Sequence, residues 1–243
     1  MEIISVYFST GGESEKVALY YKRKLLCSLY DLTSKISREQ FDFDKHYDLI
    51  ILSFPVFSQN IPNPLKNILS KLNASYFIIN ITYGKMSFGN SLKNAEKLLK
   101  GKIIGASLIP AKHTYLNMPS ITPNDLNPLD QIISLIPLKQ DITIPKFYRH
   151  PLANFFPTIR SQMGIKISKI SNCENCNLCM INCPTGSILY GKIKGHKCIR
   201  CLKCVNVCPN KVLQSKMSNI LKYYLRKKRD NRLLIFTSLS NPS

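Results

Sequence analysis

The 243-residue chain has no tryptophan, and it carries only 14 acidic residues against 34 lysines and arginines, a formal net charge of +20. Without Trp, no planar ligand can stack on an indole. A composition 44% hydrophobic and 20% charged excludes a disordered polybasic tail, despite the basic excess. No run of 18 uncharged apolar residues occurs, which argues against a membrane-spanning helix. A basic-then-apolar leader with a cleavage site is also missing, so the expectation is a cytoplasmic chain. Neither Gly-x-Gly-x-x-Gly nor a Walker lysine is found, nor a Ser/His/Asp or Cys/His hydrolytic arrangement. The four histidines, His46, His113, His150 and His196, show no partner pattern; His113 reads as a surface-loop residue. Cysteine is almost absent before Cys173. Only Cys27 occurs there, in an apolar Leu25-Leu26-Cys27 setting that reads as an inert buried thiol.

The other eight cysteines fall between Cys173 and Cys208. A secreted disulfide scaffold would spread them over the chain. Here one unit is written twice, first as Cys173-x2-Cys176-x2-Cys179-x3-Cys183-Pro184 and then as Cys198-x2-Cys201-x2-Cys204-x3-Cys208-Pro209. Zinc sites also use Cys-x2-Cys pairs, but they close at four ligands, commonly as two separated pairs. A duplicated run of four ending in Cys-Pro points instead to iron–sulfur clusters. Residues 184–188 and 209–212 read as one short helical turn per half, each placing an aliphatic side chain near a cluster. Charge changes along the chain as well. Residues 1–165 hold 19 basic and 12 acidic residues, whereas residues 166–243 hold 15 and 2.

Residues 1–150 alternate apolar, β-branched runs with helix-periodic segments. Strands are expected at residues 3–9, 47–54, 76–82 and 102–109, and helices at 13–27, 64–72, 90–99 and 126–135. Such alternation means an α/β fold, a doubly wound parallel sheet with helices on both faces, whose ligands bind at the carboxyl ends of the strands. The first such loop, Ser9-Thr10-Gly11-Gly12-Glu13-Ser14, offers hydroxyls and backbone N–H groups at a helix start, as a phosphate would need. A plain glycine turn with a helix cap would look the same.

The cysteine run resembles that of bacterial two-cluster ferredoxins, a small α+β fold. The segments Pro55-Val56-Phe57-Ser58-Gln59-Asn60-Ile61-Pro62 and Thr82-Tyr83-Gly84 with Ser87-Phe88-Gly89-Asn90, together with the 9–14 loop, resemble a flavodoxin. The whole is similar to fusion proteins of anaerobes in which a flavodoxin-like domain precedes a two-cluster ferredoxin domain. The resemblance covers about residues 1–115 and 166–214. It implies crossed ligation, with Cys173, Cys176, Cys179 and Cys208 on one 4Fe–4S cluster and Cys198, Cys201, Cys204 and Cys183 on the other. It also implies FMN, its phosphate held by Ser9, Thr10, Gly11, Gly12, Glu13 and Ser14. The flavin ring would lie between Pro55, Val56 and Phe57 and the Tyr83, Gly84, Phe88 and Gly89 loop. Glu13 departs from the family pattern, since a carboxylate beside a phosphate is tolerable only if its side chain turns away.

The expected domains are 1–150 (flavodoxin-like), 151–165 (connector), 166–214 (two-cluster ferredoxin) and 215–243 (a basic C-terminal helix or tail). Residues 215–231 read as an amphipathic helix, with Met217, Ile220, Leu221, Tyr224 and Leu225 on one face and a basic face that could touch a membrane surface. No nucleic-acid motif accompanies the charge, so an acidic redox-partner protein is the expected partner. The function expected is electron transfer between FMN, two clusters and that partner. The alternatives are a flavin-dependent oxidoreductase acting on a small substrate, and a ferredoxin with a flavin-free docking domain.

Overall fold

A computed structural model describes residues 1–154, 157–226 and 229–239. Five parallel strands form the central sheet: β1 (Ile3–Tyr7), β2 (Ser28–Asp31), β3 (Tyr47–Pro55), β4 (Asn73–Tyr83) and β5 (Lys100–Pro110). Their spatial order, β2-β1-β3-β4-β5, is the flavodoxin order of doubly wound sheets. Side chains alternate between the two faces. Ile50, Leu52, Ile79 and Ile81 meet Leu65, Leu69, Leu92 and Ala95 on one face. Leu49, Ile51 and Ile78 meet Val17, Tyr21, Leu129 and Ile132 on the other. The helices that supply these partners are α1 (Glu13–Leu25), α3 (Asn63–Leu69), α4 (Ser91–Glu96) and α5 (Asp130–Leu135), with the turn before α5.

Two elements had no apolar pattern to announce them. Strand β2 reads Ser-Leu-Tyr-Asp, is mostly exposed, and exists because it pairs with β1 at the sheet edge. Helix α2 (Lys35–Glu39) buries no side chain; the Ser34 hydroxyl accepts a bond from Ser37 N and caps it.

After α5 the chain runs back along β5. Ile142 N donates to Ile103 O, the Asp141 carboxylate accepts from Ile103 N, and Ile142 and Ile144 are buried in the sheet core. Helix α6 (Pro157–Gly164) then leads into the cysteine domain. There β6 (Ile165–Lys169) pairs antiparallel with β9 (Leu213–Met217), and β7 (Ile188–Leu189) with β8 (Lys192–Ile193). The β7–β8 turn places both Tyr190 and Gly191 at positive φ, 46° and 75°, as a tight two-residue hairpin requires.

The sequence duplication is also a backbone duplication. Asn175 and Arg200 both have φ 56°, Asn177 and Leu202 have 62° and 61°, and Gly186 and Lys211 have 63° and 50°. Each pair occupies equivalent positions in the two cysteine runs. The helical turns, α7 (Leu178–Ile181) and α8 (Lys203–Asn206), precede the fourth cysteine of each half rather than following it. Residues 184–187 form a non-helical turn, because Gly186 enters the left-handed region that an α-helix cannot use.

The C-terminal segment corrects a sequence expectation. Residues 215–231 do not form one helix. Residues up to Met217 belong to β9, Ser218 caps a short α9 (Asn219–Tyr224), and β10 (Leu234–Phe236) adds to the main sheet antiparallel to β5. Of the expected apolar face only Leu225 is buried, and Ile220 is 83% exposed. Within the tail, the three residues of β10 return to the sheet of the first domain. Residues 227, 228 and 240–243, part of that expectation, lie outside the described residues.

Candidate metal centres and the neighbouring loops

The eight clustered cysteines divide between two cavities. Cys173, Cys176, Cys179 and Cys208 line one, with Tyr190, Gly191 and Val212. Cys183, Cys198, Cys201 and Cys204 line another, with Ile167, Ile188, Ile193 and Ile199. Each set takes three cysteines from one run and the fourth from the other. The aliphatic residues expected beside the clusters, Ile188 and Val212, are wall residues.

The donor set suits 4Fe–4S clusters. Ser187 N donates to Cys183 Sγ and Val212 N to Cys208 Sγ, both at 3.3 Å and both from the residue four positions on. Such N–H···S bonds stabilise thiolate and tune cluster potential. Arg200 adds a guanidinium contact to Cys198 Sγ at 3.8 Å. Among the described residues, no three His, Cys, Asp or Glu side chains converge tightly enough to hold a single metal ion. The thiols stand around the walls of two voids, whereas one zinc would draw four sulfurs to about 2.3 Å from a common point.

The two sites differ in setting. Cys183, Cys201 and Cys204 are buried, whereas Cys176 is exposed and Cys173, Cys179 and Cys208 are half-buried. Burial pushes the Cys204 thiol up to about 12 and raises that of Cys201 as well; neighbouring cysteines add to both effects. These thiols therefore stay protonated until a metal displaces the proton.

The second set is shut against the sheet domain. Lys35 N donates to Cys183 O, and the Arg38 guanidinium donates to Pro184 O and to Leu32 O and Thr33 O of the β2–α2 loop. On the other side, Tyr115 Oη donates to Arg200 O at 2.7 Å. Burial, then the Cys201 and Cys198 thiols, raise the Tyr115 pKa above the ordinary phenol value. Ile199 and Cys201 join the sheet-domain core that includes Phe54, Tyr83 and Phe88. All these contacts lie at the carboxyl ends of the parallel strands, where a doubly wound sheet binds ligands.

The 9–14 loop sits at that same edge. Gly12 caps α1 at φ 88°, a left-handed conformation that favours glycine, and a Cβ on Gly11 or Gly12 would meet nothing within 4 Å. Ser9 Oγ is buried without a hydrogen-bond partner, while Ser9 N donates to Thr33 Oγ1. Thr10 is buried, and Ser14 Oγ lies 2.7 Å from Thr82 Oγ1. Glu13 turns out of the loop: its carboxylate accepts from Ile121 N at 2.8 Å and from the Ser120 hydroxyl, and pairs with Lys16 at 3.7 Å. The donors of this loop fit a phosphate, and its one acid points elsewhere.

The ring-side loops are more closed. Phe57 and Asn60 form an antiparallel bridge around Ser58 and Gln59, and a Cβ on Gly89 would stand 2.7 Å from Gln59 Cβ. Pro55, Val56 and Phe57 are half-buried, as is Gly84, which packs against His113. Tyr83 and Phe88 are buried and meet edge to face at 5.1 Å; Phe88 also meets Phe147. Tyr83 Oη donates to Arg232 O at 2.6 Å, and Asp230 N donates to Lys85 O, so the C-terminal return crosses this loop. His113, expected in a surface loop, is largely enclosed. Burial and the Arg229 charge lower its pKa to about 4, so it is neutral at pH 7.

Sequence reading missed Thr33, Arg38, Tyr115 and Arg232. They carry no motif, and each has a partner at least 24 positions away. A four-residue apolar run, Leu233 to Phe236, was the only local hint of the return strand.

Residues 193–214 match the 4Fe-4S binding domain family. No curated protein matches the chain. A candidate flavoprotein from Bacteroides eggerthii aligns at 19% identity over 54% of this chain and 98% of its own, with a TM-score of 0.36. A second, from Bacteroides uniformis, aligns at 17% identity over 46% of this chain and 92% of its own, with a TM-score of 0.33. Likeness at that level adds nothing to what the strand order establishes. The chain joins a flavodoxin-like α/β domain to a ferredoxin-type domain that binds at least one 4Fe–4S cluster.

Proposed function

We propose that the protein is an electron-transfer flavo-iron–sulfur protein with two 4Fe–4S clusters and one FMN, exchanging electrons with an acidic redox-partner protein. The observation that carries this reading is the sorting of eight cysteines, four and four, around two cavities in the crossed pattern. When bound, flavin supplies two electrons singly and each cluster carries one. The protein's residues position and tune these groups. Cys173, Cys176, Cys179 and Cys208 would hold the outer cluster, and Cys183, Cys198, Cys201 and Cys204 the inner one. Ser187 N and Val212 N support one thiolate in each set. Ser9 Oγ and the backbone N–H groups of Gly11 and Gly12 would take the FMN phosphate, and Glu13 stays out of that loop through Ser120 and Ile121. Arg38 and Tyr115 clamp the inner site to the loops where flavin would lie.

One observation favours a second reading, a flavin-free docking domain. Tyr83 and Phe88 are packed in the core, and the C-terminal return covers their loop. Anaerobic purification with a count of iron, sulfide and FMN separates the two. The proposal expects about eight iron, eight sulfide and one FMN per chain. Full iron with no FMN supports the docking domain, and no iron refutes both.

A further inference from the structure

The two cysteine cavities differ in what covers them. The inner one stands against the sheet domain, where Lys35 N and Arg38 bond to its wall residues Cys183 and Pro184 and Tyr115 bonds to Arg200. The outer one faces solvent: residues 174–178 are exposed, including Cys176. The segments that carry its walls expose four large apolar side chains: Ile170 (56% exposed), Leu178 (39%), Ile181 (47%) and Tyr190 (50%). Tyr190 lines the cavity itself. Leu178 and Ile181 bracket Cys179 on α7, and Ile170 N donates to the carbonyl of the wall residue Val212.

Charge surrounds this apolar centre. Lys169, whose side chain lies 3.6 Å from where a Gly191 Cβ would stand, is exposed, as are Lys192 and Lys211. Glu174 is the one acidic residue between positions 166 and 229. An apolar centre with a predominantly basic rim, in which Glu174 is the one acid, is the anatomy of a transient interface that steers an acidic partner.

We infer that this face, centred on Cys176, Leu178, Ile181 and Tyr190 and rimmed by Lys169, Lys192 and Lys211, is the docking surface for an acidic one-electron redox protein. The inference rests on the proposed function, and assigns the outer cluster as the exchange point. In the exchange the outer centre loses one electron and the partner's acceptor gains it; no bond forms or breaks.

The test uses the full chain, purified and dithionite-reduced without oxygen, desalted, and mixed in stopped flow with an acidic bacterial flavodoxin. Bleaching of the flavodoxin's visible absorption is followed across a salt series. The pair Lys169→Glu with Lys211→Glu should lower the second-order rate at least about tenfold and flatten its salt dependence. Tyr190→Ser should lower it by about threefold or more. Reduction of menadione, a small neutral acceptor, should change by less than about twofold in the lysine pair. The control pair Lys71→Glu with Lys100→Glu, at the amino end of the sheet, should leave both rates unchanged. Intact cluster paramagnetic signals with unaltered flavodoxin rates would overturn the docking face alone, as would equal loss in the control pair. Binding of wild type to phosphatidylserine vesicles, with no flavodoxin dependence on these residues, would overturn it in favour of a membrane surface. Absence of cluster signals in wild type would sink the proposed function and this inference with it.

Discussion

The sheet domain and the cysteine domain bury their interiors by different means. The first encloses two continuous layers of aliphatic and aromatic side chains, one on each face of the sheet. Among the described residues, the second has a core cluster of Cys183, Ile188, Cys204 and Leu213, and two of those four are cysteines facing a void. Hydrophobic burial of about 25 cal/mol per Å² can hold the first; a domain this small needs staples. The comparison teaches that iron in the second domain would act as its missing core, so its order and its redox function would share one cause.

Removing metal tests that contrast most severely. Chelation under mild acid should leave the sheet domain's circular dichroism in place while residues 165–217 become cleavable by trypsin, a change of the whole domain. Resistance of that segment in metal-free protein would break the comparison. Leu52→Ala, fully buried in the sheet core, should cost about 2–5 kcal/mol in a urea melt followed by far-ultraviolet dichroism, without lowering iron content in the folded protein. The clamp between the two domains comes next. Arg38→Ala leaves the carbonyls of Leu32, Thr33 and Pro184 without their donor. It should destabilise the docked arrangement by about 1–3 kcal/mol, read as faster hydrogen exchange at residues 32–35 and 184–187 but not in β3 or β4.

Two smaller effects sharpen the picture at the loops. His113 has its pKa lowered from 6.5 to about 4, so the unfolded chain takes up a proton first as the pH falls. Its stabilising contribution is complete above about pH 6.5 and is lost progressively toward pH 4. His113→Asn should flatten the urea midpoint between about pH 7.5 and 5.5. Ser9→Ala removes a buried hydroxyl that has no partner, so flavin-free protein should be unchanged or stabilised by up to about 1 kcal/mol. Under the proposed function, FMN affinity should fall by about tenfold in titration, since the lost bond would be to a charged phosphate. A fall in stability with no change in FMN affinity would remove Ser9 from the proposed site.

Much of the sheet was legible because its strands are buried on both faces and read as apolar runs. Residues 47–54 and 76–82 needed no further context. Strand β2 escaped because an exposed edge of Ser, Leu, Tyr and Asp carries no such run. The C-terminal helix was misread because Met217, Leu221 and Leu225 do recur at helical spacing, yet β6 claims residues 213–217 through five paired positions. Glu13 stood out as an oddity of its loop, but only Ser120 and Ile121, over 100 positions away, show where its charge goes.

What the residues by themselves determined was local. Cysteine spacing is written in the chain itself, and hydrophobic periodicity sets which strands are buried. The tertiary structure alone decided which cysteine set lies against the sheet and which faces solvent, and that the last strand returns to close the Tyr83 loop. These are outcomes of contacts between segments up to about 150 positions apart. Such contacts depend on how the packed layers meet in space, which no window of the chain encodes.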